Sequence, residues 1–162
     1  MRDYIIMTDS CCDLSQQEVE ELELTVLPLS FTIEGKTLLN TPDHADMSPE
    51  EFFAKIAAGA DCTTAAVNVG QFTDAMEKVL QEGKDILCVC FSSALSTTYQ
   101  SACIAAEDLR EKYPEAKILV IDSLSASRGQ GMLLYRAVRE RREKNLTIDE
   151  LDAYVRSIIP VS

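Results

Sequence analysis

The sequence contains a single histidine, His44, and no Cys-x-x-Cys pair. Its six cysteines are adjacent (Cys11, Cys12), alternating (Cys88, Cys90) or isolated (Cys62, Cys103), which is the spacing of neither a zinc site nor a disulfide framework. No metal site is expected. No stretch approaches the roughly 20 apolar residues that a membrane span requires. Met1-Arg2-Asp3-Tyr4 passes into a strand-like segment without a signal-peptide pattern, so a cytoplasmic location is expected. Basic residues are scarce, 15 against 27 acidic, for a net charge of −12. That balance argues against nucleic acid or an anionic membrane as a partner, because both require a basic face. The Gly-x-Ser-x-Gly elbow of serine hydrolases is missing, as are internal repeats and low-complexity linkers.

What remains is the balance of an ordinary globular protein, 46% hydrophobic and 26% charged over 162 residues, enough for one domain with a full core. Tyr4 to Thr8 reads as a buried strand and Ser15 to Leu22 as a short helix. Leu24 to Ile33 is a β-rich run that turns at Glu34-Gly35-Lys36 into Thr37 to Leu39, and Asn40 to Met47 is polar loop. Ser48-Pro49-Glu50-Glu51 carries the marks of a helix start with a capping box, and that helix ends near Gly59. Phe72, Ala75, Met76, Val79 and Leu80 make one apolar helical face, closed by Gly83.

The second half alternates: strand Asp85–Phe91, helix Thr97–Lys112, strand Lys117–Ile121, helix Arg128–Lys144, then a capping box at Thr147–Glu150 opening a last helix. Apolar strands alternating with helices imply an α/β fold, a mostly parallel sheet with helices on both faces.

The most informative stretch is Ser92-Ser93-Ala94-Leu95-Ser96-Thr97-Thr98, where a strand stops and a helix begins. The free N–H groups and positive dipole end of that helix favour an anion. Without the lysine and glycines of a nucleotide P-loop, a hydroxyl-lined seat suits a carboxylate or a single phosphate. Two other strands end in similar chemistry, Thr8-Asp9-Ser10 and Asp122-Ser123. In open α/β sheets the carboxyl ends of the strands share an edge and ligands bind beside it. Ser, Thr and Asp at such places also cap helices, but three clusters with more hydroxyls than caps require favour a binding site.

These clusters, in this order, resemble the DegV family of bacterial fatty-acid-binding proteins, the acyl-carrying subunits of fatty acid kinase. The family's Thr-Asp-Ser followed by Asp-Leu matches Thr8-Asp9-Ser10 and Asp13-Leu14, and its Val-Pro-Leu strand matches Leu27-Pro28-Leu29. Its Thr-Ser-Gln-Pro loop falls at Thr63-Thr64-Ala65-Ala66. Its Ser-Ser-x-x-Ser-Gly-Thr-Tyr-x-Ser-Ala signature falls at Ser92 to Ala102, and its Asp-Ser with a downstream Gly-x-Gly falls at Asp122-Ser123 and Gly129-Gln130-Gly131. Two motifs depart from the family pattern: Gln-Pro is replaced by Ala65-Ala66, and the signature's glycine by Thr97, which forbids a left-handed backbone there and narrows the approach to the ligand.

The resemblance implies a non-catalytic protein that buries a long-chain fatty acid as its ligand, needs no cofactor, and presents the acid to a fatty acid kinase catalytic subunit. It places the carboxylate contacts at Thr63, Thr64 and Ser96, beside Thr97, Ser92, Ser93, Thr8, Asp9, Ser10, Asp122 and Ser123. It further implies that residues 1–162 are a single α/β domain corresponding to the N-terminal lipid-binding domain, with a second C-terminal domain absent (truncated at Ser162). An apolar patch is then expected beside the Ser92–Thr98 edge, with possible self-association through it.

Other readings stay open. A small hydrolase or phosphotransferase would use Ser93 or Ser96 as nucleophile, though the lone His44 lies in a polar loop. A phosphotransfer domain related to dihydroxyacetone kinase would need a strand-end histidine. Asp9 and Asp122 read as caps or partners of nearby hydroxyls, with a general-base pair as the alternative. Cys11 and Cys12 lie at the site, where a reactive thiol is conceivable, whereas Cys88, Cys90 and Cys103 read as small core residues. The basic helix end Arg136, Arg139, Arg141, Arg142 and Lys144 reads as a solvated face complementing the helix dipole, with a docking patch for an acidic kinase partner as the alternative. Gly129 and Gly131 read as permitting close helix packing.

Overall fold

The computed structural model describes residues 2–125 and 127–159. In chain order its elements are β1 (Tyr4–Asp9), a 3-10 turn (Ser10–Cys12), α1 (Gln16–Glu21), β2 (Leu24–Leu27), β3 (Leu29–Ile33), β4 (Lys36–Asn40), α2 (Pro49–Ala57) and β5 (Cys62–Ala65). There follow α3 (Val69–Gln81), β6 (Asp85–Cys90), α4 (Thr98–Lys112), β7 (Ile118–Asp122), α5 (Ser127–Lys144) and α6 (Ile148–Ile158).

β2, β1, β6 and β7 pair in that order as a parallel sheet. Its central strand β6 is buried at all six positions, as a strand covered on both faces must be. Side-chain alternation sends Leu87 and Val89 to one face, where they meet Leu134 of α5 and Leu151 and Val155 of α6. Ile86, Cys88 and Cys90 go to the other, against Phe72 and Met76 of α3 and Ala102 and Ala105 of α4. The fold is thus the α/β sandwich with helices on both faces that the strand–helix alternation implies. Cys88 and Cys90 are fully buried core residues, and Cys103 packs partly buried against the same cluster.

Two features of the first half differ from the sequence reading. The run Leu24–Ile33 is not one strand. Pro28, which lacks an N–H for a ladder and fixes its own φ, separates β2 from β3, and the chain passes there from the parallel sheet into a second one. That second sheet, β4-β3-β5, is antiparallel. Its edge strand β5 includes Thr63 and Thr64, expected as loop. Both are β-branched, and Thr63 registers with Thr32 and Thr64 with Phe31. α2 covers one face through Phe52, whose ring meets Phe31 edge-on at 5.6 Å. Capping is reciprocal at Ser15/Glu18, Asn68/Gln71 and Thr147/Glu150. At Ser48 only the first half of the expected box forms, Glu51 N donating to Ser48 Oγ at 3.1 Å. Among the described residues no helix is long and apolar enough to cross a membrane.

Candidate functional site

Because β1, β6 and β7 are parallel neighbours, their carboxyl ends meet at one edge, and hydrogen bonds join the three polar clusters there. Asp9 ends β1. Its carboxylate accepts from Phe91 N at 2.7 Å, Cys11 N at 3.0 Å and Gln130 Nε2 at 3.1 Å. Thr8 Oγ1 donates to Val89 O at 2.8 Å and accepts from Gln130 Nε2 at 2.9 Å. Asp122 ends β7. It accepts from Ser93 N at 3.2 Å, from Leu124 N at 3.0 Å and, in a short bond, from Ser93 Oγ. Ser123 N donates to Cys90 O at 3.1 Å, and Ser92 N to Ser125 O at 2.9 Å. The loops after β6 and β7 are therefore laced together, and Asp9 ties the start of the β6 loop to β1.

This lacing sorts the expected site residues into two groups. Thr8, Asp9 and Ser123 are fully buried, and Ser92 nearly so, with their polar atoms engaged inside the protein. Asp9 and Asp122 serve as the hydrogen-bond partners the sequence suggested, organising backbone N–H groups. Ser10 is half-buried and accepts from Leu29 N at 2.9 Å, fixing the chain where it enters the second sheet. Ser93 and Ser96 are half-buried and Thr97 is exposed, so these three face outward at the edge.

Ser96 Oγ and Thr98 Oγ1 lie 2.9 Å apart, and Ser96 Oγ also accepts from Thr98 N at 3.2 Å. Ser96 thereby supplies the side-chain cap that Thr97, at the N-cap position, does not make. Thr97 has φ −85° and ψ 3°, so this helix start calls for no left-handed residue. The expected backbone conflict of threonine in place of glycine does not arise.

Thr63 and Thr64 are exposed on β5, and among the described residues no hydrogen bond links them to the edge network. Adjacent strand residues point to opposite faces of a sheet, so the two cannot share one contact. Leu29 and Phe31 alternate onto one face of β3, and Leu29 packs into the cluster that contains Tyr99 and Ala102 of α4. Thr64, in register with Phe31, consequently lies on the face that α2 covers through Phe52, and Thr63 on the opposite face.

The electrostatics are those of a neutral-donor seat. Among the described residues no lysine or arginine enters the edge network. Burial raises the Asp9 carboxyl above its ordinary range, partly offset by its three N–H donors. Burial pushes the Cys11 thiol up to about 12 and Cys12 to about 11, with the Asp9 charge adding to both. Thiols held this high are poor nucleophiles, which argues against the reactive-thiol alternative.

In the sequence Gln130 stands out only as the residue between two glycines, and its role is not evident there. It is fully buried on α5 and grips both Thr8 and Asp9, while its Oε1 has no partner. A polar residue inside an otherwise apolar helical face was the available signal. Gly131 beside it permits the close packing expected, since a Cβ there would lie 2.6 Å from Cys12 O.

Leu95 and Leu124, in the loops after β6 and β7, are 67% and 49% exposed, the apolar surface anticipated at this edge. His44 is exposed and lines, with Ser10, Asp13, Leu14 and Asn40, a cavity of about 280 Å³. Among the described residues no cluster of His, Cys, Asp and Glu could hold a metal ion.

Residues 4–160 match the DegV family, described as "Uncharacterised protein, DegV family". A DegV domain-containing protein of Clostridium perfringens is 37% identical over 155 residues, covering 96% of this chain and 53% of its own length. Another from Lactococcus lactis is 37% identical over 157 residues, 97% of this chain and 54% of its own. The chain thus spans about half the length of the curated relatives it matches. Among solved structures, a stearic-acid-binding protein from Eubacterium ventriosum superposes with a TM-score of 0.84 at 26% identity, over 94% of this chain and 52% of that one. A DegV family protein from Thermus thermophilus, described for its fatty acid binding, superposes with a TM-score of 0.82 at 30% identity, over 97% and 53%.

Proposed function

The chain belongs to the DegV family, and from that premise we propose that it binds a long-chain fatty acid, holding the carboxylate at the β1–β6–β7 edge and presenting it to a kinase subunit. The observation that carries this reading is the outward pair Ser96 and Thr97 at the start of α4, beside a Ser93 held by Asp122, on a fold shared with relatives described as fatty-acid-binding. Hydroxyl and backbone N–H donors stabilise a carboxylate without a counter-ion, and the helix dipole adds to them. Thr8, Asp9, Ser92, Ser123 and Gln130 act beneath the surface, fixing the loops that carry the donors. Leu95 and Leu124 offer the first apolar wall to the tail. Each buried methylene contributes about 0.8 kcal/mol, so a sixteen-carbon tail gains on the order of 10 kcal/mol before ordering costs.

The protein acts in this reading as a carrier, not a catalyst. Ser93, the nearest candidate nucleophile, donates its hydroxyl proton to Asp122 and has no histidine among its hydrogen-bond partners. Titration with a fluorescent fatty acid tests the reading. Saturable binding that falls about ten-fold in Ser96→Ala supports it. Saturable binding unaffected by Ser96→Ala moves the carboxylate elsewhere, and absence of binding removes the reading.

A further inference from the structure

Gln130 breaks the rule that the rest of its helix face follows. The inward face of α5 is apolar through Leu133, Leu134, Ala137 and Val138, yet the fourth residue of the helix is a fully buried amide. Burying an amide is costly unless its polar atoms are paired, and Gln130 Oε1 has no partner among the described residues. A methionine fills a similar length without that cost. Packing alone therefore does not call for glutamine at this position. What glutamine supplies is a donor with two hydrogens.

Both hydrogens are used, one on Thr8 Oγ1 at 2.9 Å and one on Asp9 Oδ1 at 3.1 Å. The second contact closes a ring. Asp9 Oδ2 accepts from Phe91 N at 2.7 Å, and the next residue, Ser92, donates its N–H to Ser125 O at 2.9 Å. Ser125 lies in the loop that leads into α5, the helix that carries Gln130. Two consecutive N–H groups at the start of the β6–α4 loop are thus anchored to different segments, β1 and the β7–α5 loop, and Gln130 joins those segments. The rest of the loop is built on Ser92, whose carbonyl accepts from Leu95 N at 3.0 Å and from Ser96 N at 3.2 Å. A shift at Phe91 is consequently passed to Ser96 through a hydrogen-bonded turn.

We propose that Gln130 is a positioning residue for the carboxylate seat: acting through Asp9, it sets where the β6–α4 loop presents Ser96 and Thr97. The inference rests on the carrier reading above, in which Ser96 and Thr97 touch the acid and Gln130 does not. The role depends on a donor aimed at Asp9. Without it Asp9 Oδ1 keeps only Cys11 N, which belongs to the turn that follows Asp9 itself, and the ring between the carboxylate and α5 is open.

The test uses the protein at its natural length and cis-parinaric acid, a fluorescent long-chain fatty acid, with the folding of each variant checked by urea unfolding. Gln130→Met keeps the volume and removes the donor; its Kd is expected to rise about ten-fold. Gln130→Glu is the conservative variant. A neutral glutamic acid donates one proton to Asp9, whereas two adjacent carboxylates repel. The Kd of Gln130→Glu relative to the starting protein is therefore expected to lie within about two-fold at about pH 6 and to rise about ten-fold at about pH 9. Cys11 and Cys12 are raised by burial to about 12 and about 11, and Cys90 is raised by its contact with Cys88, so these thiols stay neutral across that interval and do not supply the profile. A packing role alone predicts no such profile, because Glu and Gln have the same shape. A Kd for Gln130→Met within about two-fold of the starting protein, or a Gln130→Glu ratio that does not change with pH, overturns the positioning role and leaves the carrier reading standing. Should Gln130→Met not fold, the pH ratio of Gln130→Glu decides alone. A starting protein that takes up no fatty acid overturns both readings.

Discussion

Thr63 and Thr64 sit side by side on β5 and face opposite sides of the second sheet, Thr63 in register with Thr32 and Thr64 with Phe31. Thr63 joins a row of three threonines on one face, where Thr32 Oγ1 and Thr37 Oγ1 are 3.0 Å apart. Thr64 lies on the other face, with Phe31, where α2 packs through Phe52. The two threonines therefore differ in consequence. One of Thr63→Val and Thr64→Val should weaken fatty-acid binding about ten-fold, the loss of one hydrogen bond to a charged group, while the other changes it less than about two-fold. Isothermal titration of the two variants measures the difference and identifies the face that meets the carboxylate; equal losses would contradict a contact through one threonine alone.

That distinction was not legible in the sequence, and the reason is specific. The parallel sheet was readable because Ile86–Cys90 and Ile118–Ile121 are continuous apolar runs between helices with clear 3.6-residue faces. The convergence of Thr8-Asp9-Ser10, Ser92-Ser93 and Asp122-Ser123 followed from topology alone. The second sheet left a weaker trace. β5 is four residues long and exposed along most of its length, so its pairing with β3 shows no hydrophobic period. The break at Pro28 lay within a run whose composition is β-rich on both sides. Gln130 left one local trace, a polar residue on the apolar face of α5 with Leu133, Leu134, Ala137 and Val138, while its grip on Thr8 and Asp9 is a tertiary fact.

Gly131 and Gly129 should respond differently to alanine. A Cβ on Gly131 would lie 2.6 Å from Cys12 O and 3.2 Å from Leu14 Cδ2, so the backbone of the 3-10 turn must move. Gly131→Ala is expected to destabilise the fold by about 1–3 kcal/mol in urea unfolding. Gly129→Ala meets only Ser125 Cβ at 3.3 Å, and the gain in helix propensity offsets that contact, leaving stability within about 0.5 kcal/mol. Equal losses at both positions would contradict this packing.

The buried carboxyl of Asp9 gives stability a pH signature. Its folded-state pKa is raised, chiefly by burial, so the neutral form favours the folded protein. The associated stability is fully present below the ordinary carboxylate pKa and is lost as pH rises through the raised value. Asp9→Asn removes that titration. The stability of the protein relative to Asp9→Asn should therefore fall as pH increases from the acidic range toward neutrality, then level off. Urea unfolding across that range measures it, and a difference that grows with pH would be inconsistent with a raised pKa.

The vicinal thiols should be quiet. With Cys11 at about 12 and Cys12 at about 11, on the order of one Cys11 in 10,000 is thiolate at pH 8. Iodoacetamide at that pH should leave both unmodified in the folded protein and label them after denaturation, as read by peptide mass mapping. Rapid labelling of Cys11 in the native state would restore a reactive thiol to the site.

The central claim is that the β1–β6–β7 edge holds a fatty-acid carboxylate. Native mass spectrometry of the protein at its natural length, followed by solvent extraction and fatty-acid analysis, tests it most directly. One long-chain fatty acid per chain is expected, depleted in Ser96→Ala. A protein that is empty as purified and takes up no fatty acid on titration would contradict it.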